Sequence, residues 1–331
     1  MFNKMMNRFY YGSSGKGDFR QENLPRTRRQ LFWEMLKIRL SGLCCLNLLY
    51  AIIWVPSFIV LFSALTQVYS ASAELAGMQD MAKQSTMAVE ALAETMLQFS
   101  GWLNALSLQA LFFLFPCIAI TGPFTAGMTY VVRNWARDEH ASVWTDFWDA
   151  FKENWKQGLL VSSITGIIPL ILYICWTFYG EMAKQNGFFF VPQILCLMLA
   201  LLWFCSLLYQ YPLMVTYRLR LRDLLRNGFL LSLGCLPMTI ALKIFFLLPC
   251  ILAFAVSLFT PYMLYAFLAL AAYYIFFGFS FSRFAGVSYS NAVFDRYINP
   301  NIEGALINRG LFQEKSEKNF RQKNPTEIQK N

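Results

Sequence analysis

Residues able to do catalytic or metal chemistry are few in this sequence. The 331 residues include a single histidine, His140, and eight cysteines. No two-histidine metal site can form within one chain, and the cysteines contain no Cys-x-x-Cys pair and fall in or beside apolar stretches. No glycine-rich phosphate loop, Gly-x-Ser-x-Gly or His-Glu-x-x-His motif is present. We therefore predict a protein that is not an enzyme, binds no metal and carries no cofactor.

One short segment has the features of an anion site. Gly122 and Pro123 follow an apolar run, and proline suits the first position of a helix. The backbone N–H groups at such a start are free, and the positive end of the helix dipole attracts a phosphate or carboxylate. The pattern predicts an anion site at Thr121, Gly122, Phe124 and Thr125. The alternative, which we favour, is a simple turn from a spanning helix into an interfacial one.

A third kind of chemistry, solute binding within a membrane, has limited support. Prolines interrupt several apolar stretches, and broken helices expose backbone groups that can bind a solute at membrane depth. An ion-coupled mechanism normally needs an intramembrane carboxylate, and these stretches contain none. The lysine at position 243 is expected to reach the nearer membrane surface. The polar residues in or near the stretches are Asn47, Gln109, Gln193, Gln210 and Lys243.

The composition is that of a membrane protein. Apolar residues make up 57% of the chain and charged residues 14%, against roughly 25% charged in soluble domains. Six apolar stretches are long enough, at about 1.5 Å per residue, to cross a hydrocarbon core of roughly 30 Å. The predicted fold class is all-α, a polytopic membrane protein with about six transmembrane helices at 41–66, 102–121, 158–179, 188–211, 237–259 and 264–282.

Positive charge lies mainly on one side of the predicted bundle. Of the 28 lysines and arginines, 25 lie in the two end segments and in the connections on one side, and two, Lys83 and Lys184, lie on the other. Lysine and arginine are retained in the cytoplasm, so both ends of the chain are predicted to be cytoplasmic. The net charge of +9 therefore reflects membrane topology, and no nucleic-acid partner is expected.

Three amphipathic helices are predicted on the cytoplasmic side. Two are expected in the lipid headgroup layer, and the aromatic one either flat on the bilayer or against the bundle. They cover residues 27–40, the aromatic run 144–155 and the segment that begins with the arginines of 218–222. Basic and tryptophan side chains concentrate at this interface, so membrane lipids are predicted partners. The predicted lipid anchors are Arg28, Arg29, Trp144, Trp148, Trp155, Arg218, Arg220 and Arg222.

The remaining organisation is simple. Residues 26–300 are predicted to form one membrane domain, between a flexible N-terminus, 1–25, and a polar cytoplasmic tail, 301–331. The external segment 67–101 is long for a loop, and its apolar residues recur in steps of three and four, which is typical of an amphipathic helix. It is predicted to fold down on the external ends of its own helices; the alternative is a docking surface for another membrane or external transport subunit.

Several runs of residues resemble a known family. They are the Gly-Pro pair at 122–123, the run Tyr-Val-Val-Arg-Asn-Trp-Ala-Arg-Asp-Glu at 130–139, and Asp-Phe-Trp-Asp-Ala-Phe-Lys-Glu-Asn-Trp-Lys-Gln at 146–157. Together they resemble the YesL-like family of bacterial integral membrane proteins, domain of unknown function 624, over most of 30–230. The resemblance implies a bacterial plasma-membrane protein, often encoded near carbohydrate-uptake genes. It implies no activity and no functional residues.

The predicted function follows from these observations. We expect a non-enzymatic membrane accessory or assembly factor, and the resemblance suggests a carbohydrate-uptake system as its context. The alternative is a facilitator or channel-like permease for a small uncharged or anionic solute. A polar cavity within the membrane would favour the permease, and a packed bundle with an exposed apolar face would favour the accessory role. The sequence sets neither the substrate nor the oligomeric state.

Overall fold

All six predicted spans are helices in the computed structural model, which describes residues 25–82, 86–259 and 262–312. Throughout these ranges every regular element is helical, so the predicted all-α, six-span fold class is confirmed. The flexible segment predicted at 1–25 and the end of the tail, 313–331, lie outside the described residues, apart from Pro25. The α-helices are α1 Arg28–Ala82, α2 Thr86–Ala136, α3 Thr145–Gln185, α4 Phe190–Thr216, α5 Leu221–Gly234, α6 Leu236–Phe259, α7 Met263–Tyr273 and α8 Phe279–Tyr297.

The spanning helices extend further than their apolar stretches. The segment 27–40, predicted as a separate interfacial helix, is the first part of α1, and the aromatic run 144–155 forms the first turns of α3. In α1 the apolar side chains of Leu31 and Met35 are 2% and 4% exposed, and they pack against Trp135 of α2 and Phe284 of α8. The prediction of a separate interfacial helix is wrong for 27–40, because its apolar face is buried in the bundle. The aromatic run lies against the bundle through Phe147, which is 0% exposed, and this is one of the two placements expected for it.

Prolines do not end the helices in which they lie. α2 contains Pro116 and Pro123, α3 contains Pro169 and α4 contains Pro212. Each proline lacks the N–H that a helix interior needs. In membrane bundles, neighbouring helices can supply a donor to the freed carbonyl. One such donor, from Ser162, is described below for Pro123.

Two packed clusters hold the bundle together, and α8 joins them. The first cluster brings α1, α2, the start of α3 and α8 together. The second brings α4 and α5 against α2, α3 and α8. Within them Phe284 and Phe294, both on α8, are 0% and 1% exposed. The most extensive helix pair is α2 with α3, and this pair carries the contacts described in the next subsection.

A π-helical turn, Tyr274–Gly278, connects α7 to α8 and makes them one spanning unit. Asn47 of α1 is 0% exposed and is fully engaged with this turn. Its Nδ2 donates to the carbonyl oxygens of Tyr274 at 2.7 Å and Ile275 at 2.6 Å, and its Oδ1 accepts from the backbone N–H of Ser280 at 2.8 Å. A π turn disturbs the regular helical ladder. Asn47 therefore ties α1 to the turn through three hydrogen bonds.

The external segment 67–101 is a continuation of two spanning helices. α1 is helical to Ala82 and α2 is helical from Thr86, and the two helices pack against each other. We call residues 67–101 the hairpin, and its side of the bundle the hairpin end. The opposite side, which carries Arg28, Arg137 and Arg220, is the basic end. At about 1.5 Å per residue the hairpin extends roughly 24 Å beyond residue 66. The prediction that this segment folds down is wrong, because both helices continue without a break.

Residues 302–312, predicted as the start of a polar tail, pack on the basic end. The N–H of Phe312 donates to the carbonyl of Pro25 at 3.1 Å. The side chain of Leu311 packs against the first cluster, and the guanidinium of Arg137 donates to the carbonyl of Leu306 at 3.2 Å. The membrane domain therefore extends about twelve residues beyond the predicted boundary at residue 300.

Candidate functional site

The predicted anion site lies in the middle of a helix. α2 continues through Gly122 and Pro123, so the N–H groups of Phe124 and Thr125 lie within a regular helix, where the preceding turn supplies their acceptors. The hydroxyl of Thr125 also donates back to the carbonyl of Thr121 at 2.8 Å. The expected helix break at Gly122-Pro123 is wrong. The free amide groups on which the predicted anion site depended are therefore not available.

Ser162 explains why the helix continues through the proline. Pro123 has no N–H, so the carbonyl of Ala119 one turn earlier loses its helical donor. The hydroxyl of Ser162, on α3, donates a hydrogen bond to this carbonyl. Ser162 is 2% exposed, and a buried carbonyl in a membrane bundle needs such a partner. A side chain about forty residues away in sequence therefore repairs the break that the Gly-Pro pair predicts.

The two helices also approach closely because glycines face each other. A Cβ atom on Gly122 would overlap the carbonyl oxygen of Gly158 and the Ser162 hydroxyl, and would lie 2.6 Å from the Gly158 carbonyl carbon. A Cβ on Gly166 would lie 2.9 Å from the carbonyl oxygen of Phe115. Gly158, Ser162 and Gly166 are four residues apart along one face of α3. This is the small-residue spacing that lets membrane helices pack backbone to backbone.

A group of polar side chains lies beside this crossing. The hydroxyls of Tyr50 of α1 and Thr125 of α2 are 2.6 Å apart. The phenol of Tyr211, on α4, interacts with Thr125 and Ser162. The guanidinium carbon of Arg283, on α8, is 5.2 Å from the centre of the Tyr211 ring. Five helices thus contribute polar groups to one region, which we call the polar centre.

Two cations of the bundle lie on neighbouring helices. The Nζ of Lys243 is 4.0 Å from the centre of the Phe204 ring, and its charge interacts with that of Arg283. No carboxylate among the described residues lies within ion-pair distance of either cation. Lys243 could be identified in the sequence because it lies inside a predicted span. Arg283 could not, because it lies one residue beyond the end of its predicted span. One more helical turn on that span would have included it.

The three predicted tryptophan anchors have different surroundings. Trp148 is half-buried and makes edge contacts with Phe124 of α2 and with Phe151. Trp144 is 62% exposed and Trp155 is 47% exposed. Trp148 is therefore part of the packing between α2 and α3. Lipid contact stays a prediction for Trp144 and Trp155.

The predicted arginine anchors also separate into two groups. Arg28 forms an ion pair with Asp295 of α8, so it holds the start of α1 to the bundle. Arg29, Arg218, Arg220 and Arg222 are exposed at the basic end. Their contact with anionic lipid stays a prediction.

The described residues define a six-helix membrane protein with small-residue helix packing and a polar centre. Residues 102–176 match the family model described as "Protein of unknown function, DUF624", which is the YesL-like family. The resemblance predicted from the sequence is confirmed over this stretch, which is shorter than the expected 30–230. The matched residues run from the hairpin end of α2 to the middle of α3, and so contain the whole Gly122–Gly158 crossing.

Searches of curated proteins and of solved structures found no match to this chain. Across the described ranges, no group of three histidine, cysteine, aspartate or glutamate side chains is placed to hold a metal ion. The family description carries no activity.

Proposed function

We propose that this chain is a non-enzymatic accessory protein of the bacterial plasma membrane that docks a partner through its hairpin. The observation that carries the proposal is the length of α1 and α2, 55 and 51 residues. A helix of 55 residues is about 80 Å long, whereas the hydrocarbon core is about 30 Å thick. More than half of α1 therefore lies outside the hydrocarbon, and a large part of that length is in the hairpin.

The charge distribution supports an external position for the hairpin. The basic end contains most of the lysines and arginines of the chain, which favours the cytoplasmic side. The hairpin carries four acidic residues and one lysine, a net charge of −3. We propose that both chain ends are cytoplasmic and that the hairpin faces the outside.

The hairpin presents apolar side chains that its own chain leaves uncovered. Tyr69 is 65% exposed, Met96 is 44% exposed and Leu97 is 74% exposed. A Cβ atom on Gly77 or Gly101 would meet no atom within 4 Å. Exposed apolar groups outside the hydrocarbon favour burial against another protein. We infer a partner surface that combines apolar and basic groups, such as a subunit of a transport system; the carbohydrate context rests on the family resemblance alone.

A second candidate function, a facilitator for a small anion, is favoured by the Lys243–Arg283 pair. Cations within a membrane bundle commonly mark a solute pathway. Anion uptake into proteoliposomes that Lys243→Met abolishes would favour this function over docking.

The docking proposal is tested by photo-crosslinking in living cells. We expect a crosslinking residue at Leu97 to capture one membrane or external protein, identified by mass spectrometry. The matched control is Ile171, which is 50% exposed and lies inside the apolar stretch 158–179, whereas Leu97 lies outside the stretch 102–121. This control should capture lipid only. Glu74 and Glu94 are both exposed on the hairpin. Because the partner surface is expected to be basic, Glu74→Lys with Glu94→Lys should reduce the Leu97 adduct several-fold.

Three results would count against docking. These are lipid adducts alone at Leu97, an adduct only with a second copy of the chain, and a protein adduct that the two charge reversals leave unchanged.

A further inference from the structure

A cavity of about 350 Å³ opens at the basic end, outside both the polar centre and the hairpin. Its wall is formed by the end of α2, the end of α4 and the turns after α8. The side chains that matter to its chemistry are Arg133, Arg137, Thr216, Tyr217 and Asn299. We call it the arginine pocket. Its volume is near the lower end of the range for small-molecule sites.

The charge of the arginine pocket is unbalanced. Arg137 has its Nε 3.2 Å from a carboxylate oxygen of Glu139, and Arg309 has a nitrogen 3.0 Å from the same oxygen. Arg133 has no carboxylate within 4 Å among the described residues, and its Nη1 donates to the amide oxygen of Asn134 at 3.0 Å. The carboxylate of Glu139 therefore pairs with two guanidinium groups and leaves Arg133 unbalanced, so the arginine pocket keeps a net positive charge.

A second carboxylate beside the arginine pocket, that of Asp295, is already engaged. Asp295 forms an ion pair with Arg28, accepts from the backbone N–H of Asn308 at 3.1 Å and accepts from the Nδ2 of Asn299. An aspartate with three donors has little capacity left to balance Arg133. The positive charge of the arginine pocket is therefore available to a ligand.

Two donors of the arginine pocket are buried without an acceptor. The Nε of Arg133 and the Oγ1 of Thr216 are shielded from solvent and have no hydrogen-bond partner among the described residues. Buried donors without an acceptor are costly, and they commonly mark the place of a ligand or an ordered water. Two donors next to two arginines favour an anionic ligand over water.

The rest of the wall is neutral and ordered. Burial raises the pKa of Tyr217 to about 12, so its hydroxyl stays protonated and donates to the amide oxygen of Asn299 at 2.6 Å. Gly304 has a φ of +76°, a left-handed conformation that favours glycine. This turn brings the backbone of residues 304–306 across the cavity, where the Leu306 carbonyl accepts from Arg137.

We propose that the arginine pocket binds the phosphate group of a small molecule or of a lipid headgroup. A phosphate offers several acceptor oxygens, and paired guanidinium groups match its geometry. The hydroxyl of Thr216 and the Nε of Arg133 supply the two further donors. The site goes beyond docking at the hairpin, since it lies at the opposite end of the bundle, and its failure would leave the docking proposal intact.

Calorimetry on the full-length protein in detergent tests a soluble source, with inorganic phosphate and glycerol 3-phosphate as probes. Native mass spectrometry from nanodiscs tests a lipid source, with phosphatidic acid against phosphatidylcholine. We expect binding in at least one arm. In that arm Arg133→Gln should weaken binding by about tenfold or more, because it removes a charged donor. The matched control is Arg226→Gln, which removes an exposed arginine at the same end that is not among the predicted lipid anchors, and it should leave affinity within about twofold.

Thr216→Val keeps every charge and nearly the same side-chain volume, so it tests the site even if Arg133→Gln fails to fold. It should weaken binding by about threefold to tenfold, as expected for the loss of one hydrogen bond. Binding only to phosphatidic acid assigns the site to lipid, and binding of either soluble phosphate assigns it to a soluble ligand. Binding in neither arm, or equal binding by the wild type and both variants, would overturn the site.

Discussion

Replacing Gly122 with alanine is expected to prevent stable packing of α2 on α3. The new Cβ atom would overlap the backbone carbonyl of Gly158 and the hydroxyl of Ser162. Overpacking a core typically costs about 1–3 kcal/mol when side chains can adjust. Here the new Cβ atom meets the backbone carbonyl of Gly158, which cannot move away as a side chain can. Ser162 must also stay in place, because its hydroxyl donates to the carbonyl of Ala119. We therefore expect a cost at or above the upper end of that range and little folded protein.

Fluorescence-detected size-exclusion chromatography of detergent extracts measures this effect. Gly122→Ala should give aggregated or degraded protein, with a lower midpoint of thermal aggregation for any monodisperse fraction. The control is Gly101→Ala on the same helix, where a Cβ atom meets nothing within 4 Å. This control should match the wild type or gain up to about 1 kcal/mol through helix propensity. Equal yield and equal thermal midpoint for the two variants would show that α2 and α3 do not cross at Gly122.

Replacing Asn47 with leucine is expected to produce the second large effect. The amide side chain makes three hydrogen bonds to the backbone of Tyr274, Ile275 and Ser280. Leucine has a similar size but can make none of them, so all three hydrogen bonds between α1 and the backbone at the π-helical turn would be lost. Interhelical hydrogen bonds in membrane proteins are worth about 0.6–1.7 kcal/mol each. The summed cost is therefore roughly 2–5 kcal/mol.

The effect is measured as the midpoint of thermal aggregation in detergent, with Asn47→Leu and a control variant under the same conditions. The control is Asn104→Leu, which removes one exposed hydrogen bond, to the hydroxyl of Tyr173, and should change stability by less than about 1 kcal/mol. A result in which Asn47→Leu is as stable as Asn104→Leu would mean that Asn47 does not support the π-helical turn.

The number, order and approximate centres of the spans could be predicted from the sequence. Runs of apolar residues are a local property, and the length of each run directly reports a membrane crossing. The asymmetry of lysine and arginine is also readable along the chain, and it underlies the proposed orientation. These two signals account for the confirmed part of the fold.

The predictions of local structure were wrong where a residue distant in the sequence changes the environment of the segment. The Gly-Pro pair at 122–123 predicts a break in the helix. In the structure Ser162 supplies the missing hydrogen-bond donor, and Gly158 has no side chain to keep α3 away from Gly122 of α2. The amphipathic start of α1 has the pattern of a lipid-bound helix. Its apolar stripe instead faces Trp135 and Phe284, which lie about 100 and 250 residues further along the chain. Periodicity shows which face is apolar and does not show what covers it.

The arginine pocket could not be predicted from the sequence, for a related reason. Its wall combines three segments, near residues 133–137, 216–217 and 299–306, that only the folded bundle brings together. The predicted anion site lies on the same helix, about eleven residues earlier. It was predicted there because a helix was expected to begin at that point and to leave its first backbone N–H groups free. The arginines themselves were visible in the sequence. That Arg133 has no carboxylate partner among the described residues appears only in the structure.

Labelling of single cysteines by a membrane-impermeant maleimide on intact cells tests the central claim most directly, namely that the hairpin and the arginine pocket lie on opposite sides of the membrane. A variant without the eight native cysteines serves as background. Into it one cysteine is placed at Gly77 on the hairpin, at Gln185 at the end of α3, or at His140 near the arginine pocket. We predict that Gly77→Cys and Gln185→Cys are labelled from outside, and that His140→Cys is labelled only after permeabilisation. Labelling of His140→Cys on intact cells, with Gly77→Cys protected, would contradict the proposed orientation and the docking role of the hairpin.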